Sequence, residues 1–149
     1  MPGIVVGVDG SANSRYALEW AAKEAAARHA PLTVLTVNEV AASFWSGRPV
    51  VLHADQDVLA ADRAAATELA DKVVSELGDA KPASVTVKAV NGFAADELLA
   101  AAEDADLLVV GARGGAHHGG LAGHSPLGAI STKVLHHAKR PVAVVPAKE

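Results

Sequence analysis

Residues Asp106-Leu-Leu-Val-Val-Gly111 form an apolar run that leads into a glycine-rich segment ending at Gly128. Seven of the chain's 13 glycines fall between Gly111 and Gly128. A buried strand that ends in a glycine-rich turn and continues as a helix lets backbone N–H groups approach phosphate oxygens closely, and the helix macrodipole adds positive potential there. The segment therefore indicates a phosphate-binding turn, and the alternative is a surface loop without a ligand.

Length and composition indicate one globular domain over residues 1–149. The chain has 149 residues, of which 50% are hydrophobic and 20% charged, whereas aromatic residues make up only 3%. A chain of this length buries one substantial core. Because aromatic residues are few, the core is built from Val, Leu, Ile and Ala, which suits helices packed on a parallel sheet.

Charge and cysteine usage exclude several classes of protein. The formal net charge of -4 creates no basic field that would attract nucleic acid or an anionic membrane surface, so neither is an expected partner. The absence of cysteine excludes disulfides and thiolate metal sites and favours a cytoplasmic protein. We see no signal-peptide pattern and no apolar stretch long enough for a transmembrane helix.

Apolar periodicity alternates between strands and helices along the chain. The predicted strands are Ile4–Val8, Leu32–Val37, Ser84–Val90, Asp106–Gly111 and Pro141–Pro146. The predicted helices are Ser14–His29, with Ser11 as a cap, Val58–Leu77, Ala94–Glu103 and Pro126–Ala138. Residues 38–53 lack a clear period and are predicted to form a long connection that serves as a lid or contact surface.

This alternation predicts an α/β fold: a single-domain, open, five-stranded parallel sheet with helices on both faces, similar to a Rossmann fold. In such sheets, ligands bind at the carboxyl ends of the strands where the strand order reverses. A strand order of 3-2-1-4-5 makes the first and fourth strands neighbours. The strand ends at Asp9, Val37 and Gly111 would then converge on a nucleotide pocket.

Three segments together carry a resemblance to a known family. They are Ile4-Val-Val-Gly-Val-Asp-Gly-Ser11, Glu103-Asp-Ala-Asp-Leu-Leu-Val-Val-Gly-Ala-Arg-Gly114, and Leu127-Gly-Ala-Ile-Ser131 through His136 to Pro146. In this order, and over essentially the whole chain, they resemble a universal stress protein. The resemblance implies the adenine nucleotide alpha hydrolase-like fold, a homodimer, and a stress-response regulator that binds ATP, with or without Mg²⁺.

The resemblance also implies a set of site residues. Asp9 and Val37 would line the adenine and ribose end. The phosphate end would be formed by residues on either side of the glycine-rich turn, namely Gly111, Arg113, Gly114, Gly128, Ala129, Ile130 and Ser131.

Two departures from the family pattern predict weaker ATP binding than is typical. The nucleotide-binding branch carries G-x-x-G, nine residues, then G and Ser or Thr. Here Gly111-Ala-Arg-Gly114 is followed by Gly128 after 13 residues, so the loop is four residues longer, and Ala129 stands in place of the hydroxyl residue. A lost hydrogen bond to a charged phosphate costs about 1.5–3 kcal/mol, which outweighs the small entropic cost of the longer loop. Ser125 or Ser131 is a candidate substitute.

Several alternatives stay open at this point. Asp9 either contacts the ligand or accepts N–H groups at the helix entry near Ser11, and Arg113 either meets phosphate or is solvated. The loop histidines are expected to be solvent-exposed, so no metal site is predicted.

The expected function is that of a regulator rather than an enzyme, because the chain shows neither a nucleophile–base set nor a Walker motif; ATP hydrolysis would be slow and incidental. One rival is a family member that acts only through an unknown protein partner, and a second is an ATP-hydrolysing enzyme. The last strand, Pro141 to Pro146, is expected at a sheet edge, where it would pair with a second copy.

Overall fold

In the described part of the computed structural model, five strands form one parallel sheet and four helices cover it. The structure describes residues 3–39, 41–45, 48–52, 56–112 and 129–146, with the backbone alone for 39–52. In chain order, the elements are β1 (Ile4–Val8), α1 (Ala12–Arg28), β2 (Pro31–Glu39), β3 (Ala41–Trp45), β4 (Arg48–Leu52), α2 (Gln56–Ser75), β5 (Ser84–Gly92), α3 (Ala94–Ala102), β6 (Leu107–Gly111), α4 (Ala129–His137) and β7 (Val142–Val145).

The sheet has the predicted strand order. The strands lie as β5-β2-β1-β6-β7, which is 3-2-1-4-5 when only the strands of this sheet are counted along the chain. β1 is in the centre, and Ile4 is in register with Leu32 of β2 on one side and Leu107 of β6 on the other. The fold class predicted from the alternation of strands and helices is therefore confirmed.

The hydrophobic core consists of one cluster on each face of the sheet. Ile4, Val6 and Val8 of β1 pack against α1 and α2, whereas Val5 packs on the opposite face, which α3 and α4 cover. Because both faces are covered, successive residues of β1 are all apolar instead of alternating with polar ones. Alanines of α1 that are fully buried let this helix lie close to the sheet: Ala17, Ala21, Ala22 and Ala25.

The segment 38–53 differs from its prediction as a long connection without secondary structure. β2 continues to Glu39, which is in register with Gly92 of β5, and residues 41–45 and 48–52 form an antiparallel pair. The nine-residue ladder between β2 and β5 supplies the backbone hydrogen bonds, so the strand extends past the point where its apolar residues end. The amide pair from Asn38 Nδ2 to Asn91 Oδ1, at 3.0 Å, joins the two strands there.

The remaining predicted helices and strands agree with the structure to within a few residues. The predicted helix Pro126–Ala138 corresponds to α4, and its residues 126–128 lie outside the described part of the chain. Among the described residues, no helix combines the length and the apolar character needed to cross a bilayer.

Gly7 lets helix α3 approach the centre of the sheet. A methyl group at this position would lie 2.8 Å from Cδ2 of Leu98, which is buried in the cluster under α3. The glycine at this position of β1 thus determines how closely α3 packs on the strand whose carboxyl end leads to Asp9.

We expect Gly7→Ala to lower the free energy of unfolding by about 1–3 kcal/mol through overpacking against Leu98. Urea denaturation measures this loss as a lower midpoint concentration. The slope of the unfolding free energy against urea concentration should stay unchanged. In a Leu98→Ala background the extra methyl group has room, so the added penalty of Gly7→Ala should disappear. A penalty that persists in that background contradicts the packing explanation.

Candidate functional site

The predicted strand ends lie at the same end of the sheet, where the parallel strands have their carboxyl ends. We call this end the carboxyl edge, as distinct from the outer strands β5 and β7. β1 pairs with both β2 and β6, so the three positions lie on adjacent strands. Asp9 follows β1 and Gly111 ends β6, whereas Val37 lies two residues before the end of β2, next to Thr36, which is in register with Val8. Ala129, Ile130 and Ser131 form the first turn of α4, which follows β6 in the chain. Arg113, Gly114 and Gly128 lie outside the described residues.

Asp9 forms the turn that leads from β1 into α1. Its Oδ1 accepts the N–H of Ser11 at 2.9 Å, and its own N–H donates to Ser14 Oγ at 3.2 Å. Gly10 between them has φ of 85°, a left-handed conformation that glycine adopts without steric cost. The helix-entry role considered for Asp9 is therefore present, and the residue is also exposed at the edge of the sheet where a ligand would lie.

Ser14 is a structural residue of this edge that the sequence analysis missed. It is 5% exposed, its N–H donates to Ser11 Oγ at 3.2 Å, and its hydroxyl donates to Ser11 O at 3.0 Å. The predicted cap at Ser11 is thus confirmed. A serine cap predicts the contact with the backbone N–H of the third helical residue, whatever its side chain. The contact of the Ser14 hydroxyl with the Asp9 N–H is a feature of the folded turn.

Ser131 fastens the start of α4 to the end of β6. Its side chain is buried, with the residue 3% exposed, and its hydroxyl donates to the carbonyl oxygen of Gly111 at 2.5 Å. Ser131 was a candidate replacement for the hydroxyl that Ala129 lacks. Instead, its proton is used within the fold, to hold the turn between strand and helix.

The start of α4 offers backbone hydrogen-bond donors at this end of the sheet. The first N–H groups of an α-helix have no acceptor within the helix, and they carry the positive end of its dipole. Ala129, Ile130 and Ser131 are the first described residues of α4, and Ala129 is exposed. Ile130 and Val37 pack against the core cluster between the sheet and helices α3 and α4, so their side chains contribute to the core at the base of the site.

An ion pair joins α3 and α4, the two helices that cover the face of the sheet to which Val5 points. Lys133 Nζ of α4 lies 3.1 Å from Asp96 Oδ1 of α3, and the two side chains are 50% and 55% exposed. The sequence gives no sign of this pair, because the two residues are 37 positions apart and meet only when α3 and α4 pack side by side.

Metal-ligating side chains are not grouped in the described part of the chain: no three His, Cys, Asp or Glu residues lie close enough there to hold a metal ion. His136 and His137 are in the last turn of α4, at the opposite end of that helix from Ala129. The loop histidines His117, His118 and His124 lie outside the described residues.

We expect Ser131→Ala to lower the free energy of unfolding by about 1–3 kcal/mol, because it removes the donor to Gly111 O from a buried position. Ser75→Ala is the matched control, since Ser75 Oγ also donates to a carbonyl, Lys72 O at 2.8 Å, but from an exposed position. The control should stay within about 0.5 kcal/mol of the wild type. Equal losses in chemical denaturation would mean that the contact between α4 and β6 adds no stability.

Known proteins resemble this chain in sequence. The profile of the universal stress protein family matches residues 2–146. A universal stress protein of Mycolicibacterium smegmatis is 37% identical over 147 residues, an alignment that covers 96% of this chain and 47% of that protein. The chain thus spans about half the length of the curated relatives it matches.

Solved structures show the same fold. Universal stress protein UspA from Lactobacillus plantarum superposes with a TM-score of 0.73 at 22% identity, over 97% of each chain. A universal stress protein crystallised in complex with cAMP superposes with a TM-score of 0.66 at 26% identity, over 99% of this chain and 98% of that one. From the matched profile, the similar sequences and the shared fold, we conclude that this chain belongs to the universal stress protein family.

Proposed function

We propose that the protein is a regulatory protein that binds an adenine nucleotide at the carboxyl edge of the sheet. The observation that carries this proposal is the hydrogen bond from Ser131 to Gly111, because it holds the first turn of α4 directly against the end of β6. Backbone amides at the start of a helix are suited to phosphate oxygens, and Ala129 in that turn is exposed. A related structure at 26% identity holds cAMP, which supports an adenine nucleotide as the ligand.

In this proposal the ligand spans three strand ends. The base and ribose lie toward Asp9 and Val37, and the phosphates lie toward Gly111 and the amides of Ala129 and Ile130. Asp9 is suited to accept a ribose hydroxyl, since a carboxylate accepts but does not donate hydrogen bonds when ionised. Arg113, Gly114 and Gly128 complete the phosphate end by resemblance to the family.

We infer that ATP, with or without Mg²⁺, binds more weakly than in relatives with a hydroxyl residue at the helix start. Ala129 has no side-chain donor, and the hydroxyl proton of Ser131 is already bonded to Gly111 O. Binding then depends on backbone amides and on the residues of the loop. The role proposed is sensing of a nucleotide in the cytoplasm rather than its hydrolysis.

A second candidate function is favoured by the same two residues. If Ala129 and Ser131 leave too few donors for phosphate, the protein acts through a protein partner and binds no nucleotide. Isothermal titration calorimetry with ATP and magnesium separates the two candidates, as does native mass spectrometry of protein purified from cells. Absence of both heat and retained nucleotide would favour the partner-only function.

We expect Ala129→Ser to tighten ATP binding by roughly tenfold or more, because the new hydroxyl adds a hydrogen bond to a charged phosphate oxygen. Calorimetry measures the change. Ala27→Ser places the same exposed hydroxyl in the last turn of α1, at the other end of the sheet, and should leave ATP affinity unaltered. If Ala129→Ser binds ATP no better than the wild type, phosphate does not lie at the start of α4.

We further propose a homodimer that forms through β7. This strand lies at one end of the sheet order and pairs with β6 along Leu108–Gly111. All four of its residues are half-buried, and they are Val or Ala without a charge. An edge strand of this kind invites pairing, and a two-fold related copy of the same strand would cover it.

We expect Val144→Lys to convert a wild-type dimer into a soluble monomer, because a lysine on β7 places a charge where the second copy would pack. Size-exclusion chromatography with light scattering reads out the mass. Val85→Lys, on the opposite edge strand β5, is the control and should leave the dimer intact. Wild-type protein that is monomeric at tens of micromolar, or a Val85→Lys monomer, would overturn the β7 interface.

A further inference from the structure

The ion pair between Lys133 and Asp96 belongs to the same end of the molecule as the proposed phosphate site. Lys133 lies four residues after Ala129, about 6 Å along the helix axis, and helical side chains lean toward the N-terminus of their helix. Its ammonium is held 3.1 Å from Asp96, the third residue of α3. The charge therefore sits near the first turns of α3 and α4, at the carboxyl edge of the sheet.

Both helices begin at that edge for a topological reason. β5 ends at Gly92 and β6 ends at Gly111, and each is followed by a helix that runs back over the same face of the sheet. Lys133 can accordingly turn toward either of two anions, the Asp96 carboxylate on α3 or a phosphate at the start of α4. Because both side chains are half-exposed, breaking the ion pair costs little free energy, and the two side chains can rearrange.

We infer that Lys133 is the residue through which the site distinguishes nucleotides by phosphate charge, and that Asp96 competes with the phosphates for it. This inference rests on the proposed function. In the absence of ligand, Asp96 neutralises the ammonium. A ligand with several phosphate charges draws Lys133 away from Asp96, whereas an uncharged nucleoside leaves the pair in place. Asp96 thereby reduces the preference of the site for highly charged nucleotides.

The experiment compares ATP with adenosine by calorimetry in the wild type, Asp96→Asn, Lys133→Met and the double variant. We expect Asp96→Asn to tighten ATP binding by roughly three- to tenfold and Lys133→Met to weaken it by a similar factor. Adenosine affinity should change less than about twofold in each. In the Lys133→Met background, Asp96→Asn should give no further tightening, since the residue it releases is missing.

A matched control tests for a general effect of charge. Glu24→Gln removes a carboxylate that also forms an ion pair with a basic side chain, Arg28 at 2.9 Å, near the end of α1 at the opposite edge of the sheet. It changes the net charge by the same amount as Asp96→Asn, but at a position away from Lys133. If only the local pair matters, the ratio of ATP to adenosine affinity should stay at the wild-type value. A Glu24→Gln effect equal to that of Asp96→Asn would overturn the inference.

The remaining outcomes separate this inference from the proposed function. If the wild type binds ATP but neither Asp96→Asn nor Lys133→Met alters the ratio of affinities, the inference is wrong and the proposed function stands. The inference is also wrong if Asp96→Asn tightens ATP equally well in the absence of Lys133. If the wild type binds neither ATP nor adenosine, the proposed function fails, and the inference with it.

Discussion

The structure depends on the hydrogen bonding of β1 along both of its edges. Residues Ile4–Val8 pair in parallel with β2 on one side and β6 on the other. This strand is therefore the central strand, with two strands on each side of it. Parallel pairing requires a crossover between successive strands, and the crossovers place helices on both faces. Apolar side chains of β1 consequently point into two separate clusters, and the reversal of strand order occurs beside the turn at Asp9.

Much of this architecture could be predicted from the sequence because its signals are local. The apolar runs at Ile4 and Leu107 are continuous, as expected for strands covered on both faces, and Ser11 stands directly before an amphipathic helix. The end of β2 could not be predicted in the same way. Asn38 and Glu39 interrupt the apolar pattern, yet the backbone there is paired with β5, more than 50 residues later. Long-range ladders of this kind leave little trace in side-chain periodicity.

The candidate site shows the same division between local and long-range information. Its positions at strand ends and at the start of α4 follow from topology, and the resemblance to the family assigns roles to them. What each side chain contacts was harder to predict. The sequence shows a serine at position 131, but its buried bond to the Gly111 carbonyl, 20 residues earlier, exists only because α4 lies over β6. The pairing of Asp96 with Lys133 likewise requires two helices to pack in one layer.

The common direction of the helices has a consequence for how ligands arrive. Each of α1, α2, α3 and α4 runs opposite to the parallel strands, so all four amino termini lie toward the edge with Asp9 and all four carboxyl termini lie toward the other. Three of the four helices also carry basic residues in their last turns: Arg28, Lys72, His136 and His137. The Arg28 and Lys72 cations offset the negative ends of the α1 and α2 dipoles. The acidic residues Asp57, Asp96 and Glu97 in the first turns of α2 and α3 offset the positive ends in the same way. Charges at both ends thus reduce the axial field of the helices, and the net charge of -4 adds no long-range attraction for anions, so an anion at the Asp9 edge depends on short-range contacts with backbone N–H groups.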